Sequence, residues 1–97
     1  MANTLDLEAA FDSTLAEVGK ALARGMLTAK GQSAQSKLET LANELKAERE
    51  RAVARGSVDR DWFQGTVKWL VDWLPETELT LIAALGRIAR AKPKSMG

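Results

Sequence analysis

Apolar residues recur along this chain at helical steps, in four runs separated by Gly, Ser and Pro. In the first run Leu7, Phe11, Leu15, Val18, Leu22 and Met26 fall at steps of four, four, three, four and four. That is one stripe of a 3.6-residue helix. Asp6, Glu8 and Asp12 stand near its start and Lys20, Arg24 and Lys30 toward its end, the charge order that the helix macrodipole favours. Asn3 or Thr4 is the expected N-cap. Because Met26 and Ala29 prolong the stripe past Gly25, the expected end lies near Lys30, with Gly31 as the C-cap.

A second helix is predicted to begin around Ser33 to Ser36, where Ser36-Lys37-Leu38-Glu39 has the spacing of a capping box. Leu38, Leu41 and Leu45 form its apolar stripe. Beyond Leu45 the stripe fades into Lys46–Arg55, so this half is expected to lie mostly in water until Gly56 stops it. Arg49, Arg51 and Arg55 would then be dispensable for folding, because exposed ion pairs contribute little.

The third run, from about Val58 to Leu74, carries all three Trp residues. Trp62, Thr66, Trp69 and Trp73 form one row, and Phe63, Val67, Leu70 and Leu74 form the adjacent one. Only a narrow stripe of Asp61, Gln64, Lys68 and Asp72 is polar, so most of this helix is expected to be covered. Pro75 ends it and is suited to be the first residue of a fourth helix. There Leu79, Leu81, Ile82, Leu85, Ile88 and Ala89 supply a broad apolar side, and Pro93 closes the helix. Gly19, Gly65 and Gly86 fall inside helices, where each costs roughly 0.8 to 1 kcal/mol relative to Ala. A close helix crossing would offset that cost, and Gly86 is its best candidate.

Consecutive helices joined by short connections lie beside one another, which gives an all-α fold, a compact antiparallel four-helix bundle. Ninety-seven residues suit a single domain, with residues 93–97 as a frayed tail. Composition agrees: Ala and Leu dominate the apolar residues, Val and Ile are few, and Tyr is absent.

Charge and chemistry narrow the function more than they define it. With no Cys and no His, disulfides, zinc fingers, thiol nucleophiles and His-dependent triads are excluded. Paired acids such as Glu8 with Asp12 and Glu44 with Glu48 read as wet surface rather than metal ligands. No cofactor, no small-molecule substrate and no catalytic activity is expected. The acidic start Met1–Glu8 does not resemble a basic leader, and no apolar run approaches membrane-spanning length, so a cytoplasmic location is expected.

The Trp-rich helix carries more apolar surface than a peripheral bundle helix usually hides. Trp concentrates at interface hot spots. The expected function is therefore that of a protein–protein interaction or self-assembly module, an adaptor or oligomer, docking through helices three and four. Its candidate interface residues are Trp62, Phe63, Trp69, Leu70, Trp73 and Leu74. Trp73, beside the Pro75 turn where the bundle tapers, is expected to be the most exposed of the three indoles. A second reading uses Arg87, Arg90, Lys92 and Lys94, a cationic run without an acid after Glu78, as a contact for nucleic acid or anionic membrane. A net charge of +1 argues against a whole surface built to embrace nucleic acid, so this is the second reading and rests on the local run alone.

Overall fold

The computed structural model describes residues 6–91, and four helices make up most of them: α1 (Leu7–Arg24), α2 (Gln35–Arg55), α3 (Arg60–Trp73) and α4 (Leu79–Arg90). Asn3, Thr4 and the tail 93–97 lie outside the described residues. Asp6 caps α1, its carboxylate accepting from the Ala9 N–H at 2.8 Å. Asp59 caps α3 in the same way, accepting from the N–H groups of Asp61 and Trp62. These short side chains satisfy helix-start donors that have no intrahelical partner.

Three helix ends differ from the periodicity. Helix α1 stops at Arg24, because Gly25 takes a left-handed conformation (φ 68°) and donates to the Leu22 carbonyl while Met26 donates to that of Ala21. This is a Schellman ending, in which an apolar residue just past the glycine folds back onto the last turn. Met26 is that residue, buried outside the helix, and it mimics a continuing stripe. Gly31 (φ 81°) instead serves a tight turn between Leu27 and Ser33, which pair as a single antiparallel bridge. Helix α2 begins at Gln35, so Ser36 lies inside it and no capping box forms; Gln35 bonds Glu39 through its side chain instead. Pro75 belongs to a turn closed by the Glu78 N–H on its carbonyl at 2.9 Å, and α4 starts only at Leu79.

Helix α1 lies at the centre, packed on α2 along one side and on α4 along the other, while α3 packs on α4. Phe11 and Val18 from α1 meet Leu38, Leu41 and Leu45 of α2 and Leu85 and Ile88 of α4 in one core. Thr14, fully buried within it, donates to the Ala10 carbonyl at 2.8 Å and lies 3.3 Å from that of Ala84 in α4. Among the described residues no helix is long and apolar enough to cross a membrane.

The interior glycines do not mark close crossings. A Cβ at Gly19 or Gly65 would meet nothing within 4 Å, and one at Gly86 would meet only the Arg90 guanidinium.

Candidate interaction groove

Helix α3 keeps no backbone approach to α2, and the space between them is bridged by side chains. Its polar stripe of Asp61, Gln64, Lys68 and Asp72 is exposed as its periodicity requires. On the face toward α2, Trp62 and Trp69 stand half-buried along a groove of about 390 Å³. Leu41 of α2 contributes a buried side chain to this groove, while Glu44 and Asp61 bring carboxylates. Gly65 lies between the two indoles in sequence and lines the same groove, adding no side chain to fill it.

Each indole is braced from behind. Trp62 packs on Phe11 with ring centroids 6.2 Å apart, and its Nε1–H donates to Glu44 Oε1 at 3.3 Å. Trp69 meets Trp73 edge to face at 5.3 Å. Tilted and edge-to-face contacts suit the aromatic quadrupole, and they hold the rings in place.

The six residues expected at an interface therefore separate. Trp62 and Trp69 share the groove; Phe63, also half-buried, faces a different hollow with Val58, Arg60 and Ala89. Leu70, Trp73 and Leu74 are core residues. Trp73 is only 6% exposed, contrary to the expectation that it would be the most open indole. The α1–α2 loop closes the taper: the Ala29 N–H donates to the Trp73 carbonyl at 2.9 Å, and Lys37 Nζ stands 5.9 Å from the ring centroid. Helix α4 buries Leu81, Leu85 and Ile88, so the groove borders α2 rather than α4. Of the cationic run, Arg87 is half-buried and Arg90 exposed, while Lys92 and Lys94 lie outside the described residues.

The second half of α2 is mostly exposed, as expected, but Glu48 and Ala52 within it are buried. Glu48 is 1% exposed and accepts three hydrogen bonds, from Arg51 Nε at 3.0 Å, Arg55 Nη2 at 2.8 Å and the Asp59 N–H at 3.0 Å. It ties the α2–α3 turn together, and Arg51 and Arg55 neutralise it. The signal was in the pattern: Leu38, Leu41, Leu45, Glu48 and Ala52 fall at steps of three, four, three and four, which puts one acid on an apolar stripe. Arg49 reaches α1 instead, bonding Asp12 at 2.9 Å and Glu8 at 3.4 Å.

Across the other side of α1, Arg24 grips Glu78 through two bonds of 3.0 and 3.2 Å. That hydrogen-bonded pairing holds the Glu78 carboxyl below its ordinary value. Among the described residues, no three acidic side chains converge as a metal site would require. Comparison with known protein families, curated proteins and solved structures finds no match to this chain.

Proposed function

We propose that this protein is a non-catalytic helical association module, and that a second copy of the chain occupies the groove between α2 and α3. The observation that carries this reading is the pair of half-buried indoles, Trp62 and Trp69, held rigid by Phe11 and Trp73 on either side of an unfilled glycine. Large aromatic anchors fixed before binding lose little entropy on association. The same chain offers matching apolar knobs, since Val71 is 61% exposed and Leu79 66%. It also offers Arg87 and Arg90 to the carboxylates of Glu44 and Asp61 at the groove.

An antiparallel bundle is the scaffold that fits this reading. Arg49, late in α2, pairs with Glu8 and Asp12, early in α1; Arg24, at the end of α1, pairs with Glu78, just before α4. Both pairings support opposed directions for neighbouring helices.

Solution mass across the micromolar range tests the proposal. Association should persist at high salt, because most of the contact is apolar, and Trp69→Ala should weaken it by ~2 kcal/mol or more, roughly thirtyfold. Binding to nucleic acid or anionic vesicles that falls steeply with salt would favour the cationic run of α4 as the working surface. A constant monomer mass with no such binding would remove self-association.

A further inference from the structure

The chemistry of the α2–α3 groove is that of a site for an organic cation. Glu44 and Asp61 bring carboxylates that are exposed to solvent, and no Lys or Arg lines the groove. Glu44 accepts from the Trp62 Nε1–H through Oε1 at 3.3 Å, which fixes that carboxylate beside the ring and leaves its second oxygen open. The same bond takes up the one polar edge of Trp62, so what this ring adds to the groove is carbon. Trp62 and Trp69 are both half-buried, so each keeps accessible atoms for an incoming group.

The charges decide what that group is. An aliphatic side chain such as Val71 or Leu79 would cover the indoles but leave two carboxylates desolvated and unpaired, which is costly. A cation is attracted to the aromatic rings and to the acids together. Guanidinium suits the site better than ammonium, because its plane stacks on an indole while its N–H fork meets a carboxylate.

The chain itself carries such a group. Arg24, Arg49, Arg51 and Arg55 each hold a carboxylate, whereas Arg90, exposed on α4, is ion-paired to none among the described residues. Its guanidinium lies back over Gly86, where a Cβ would stand 3.5 Å from it. No residue of α4 lines the groove, so the contact is one between copies. Resting on the association proposed above, we infer that Arg90 of a second copy seats its guanidinium against the Trp62 and Trp69 indoles and pairs with Glu44 and Asp61. Each copy has both halves of this contact, so a two-fold pair makes it twice.

The test is sedimentation equilibrium of the full chain at low salt, with melting curves to verify that each variant is folded. Arg90→Gln should weaken association by about tenfold, the worth of a seated cation with a charge-assisted bond. Arg87→Gln removes the same charge from the same helix and should weaken it by about twofold at most, as a rim charge does. Glu44→Lys/Asp61→Lys and Arg90→Glu should each associate far more weakly than wild type. An equimolar mixture of those two variants should associate again, because the mixed pair sets a glutamate against the lysine groove and an arginine against the acidic one. A wild type that associates while Arg90→Gln matches it, or a mixture no stronger than its two components, would overturn this contact and leave the association reading standing. A wild type that stays monomeric would remove the association reading and this contact with it.

Discussion

Glu48 offers the sharpest mutational test, because the arginines that serve it look dispensable on a helical wheel. In Arg51→Gln/Arg55→Gln the carboxylate stays buried and keeps only the Asp59 N–H among its three donors. Removing the partners of a buried charge typically costs 3–5 kcal/mol, whereas deleting an exposed ion pair costs ~0–1 kcal/mol. The deciding quantity is the exposure of the group left behind. Glu48 is 1% exposed, although the Arg51 and Arg55 side chains are 53% and 42% exposed. The double variant should therefore lose about 3 kcal/mol, toward the lower end because the site lies close to solvent. For a domain of this length that is roughly 12–24 °C in melting temperature. Adding Glu48→Gln should recover part of the loss, since no buried charge then remains. Chemical denaturation of the double and triple variants measures both steps. A double variant within 0.5 kcal/mol of wild type, or a triple variant less stable than the double, would refute this reasoning.

Other outcomes follow from single features. Gly19→Ala should stabilise the protein by ~0.5–1 kcal/mol, since it is helical with open space around it, whereas Gly25→Ala should destabilise it by ~1–2 kcal/mol through the left-handed φ of 68°; denaturant midpoints give both signs. Trp73→Ala should cost ~3–5 kcal/mol of folding stability, as a buried core aromatic does; a thermal melt close to wild type would remove Trp73 from the core. The Glu78 carboxyl has its value lowered by Arg24, so the pair contributes stability above the ordinary carboxylate range of roughly pH 4.3 and loses it as pH falls through the lowered folded value. The gap in melting temperature between wild type and Arg24→Gln should accordingly be open near neutral pH and close in strong acid.

Helix existence was legible because each run combined period, charge order and a stop signal, as with Gly56, whose φ of 88° and bond to the Ala52 carbonyl end α2 at the expected place. Ends were less legible where an apolar residue had a role outside the helix. Met26 fits the α1 stripe by spacing and in fact seals a Schellman turn. Pro75 is a good first helical residue by its own chemistry, yet the turn it makes with Glu78 delays α4.

Burial on α3 depended on partners far away in sequence, which periodicity cannot name. Trp73 is covered by a loop more than forty residues earlier in the chain, while Trp62 and Trp69 face the wider gap toward α2. Glu48 was readable in principle, as an acid on an apolar stripe with Arg51 and Arg55 within two turns. Its charged neighbours Glu44, Lys46 and Glu50 are exposed, so the segment as a whole has the composition of a wet surface.

The α2–α3 groove with its two indoles is the proposed association surface. Sedimentation equilibrium over a concentration series, run on wild type and Trp69→Ala at low and high salt, tests it most directly. The account predicts a wild-type mass that rises with concentration and survives high salt, and a folded Trp69→Ala chain whose association is roughly thirtyfold weaker. A wild-type mass that stays monomeric at every concentration, or a Trp69→Ala variant that associates as strongly as wild type, would contradict it.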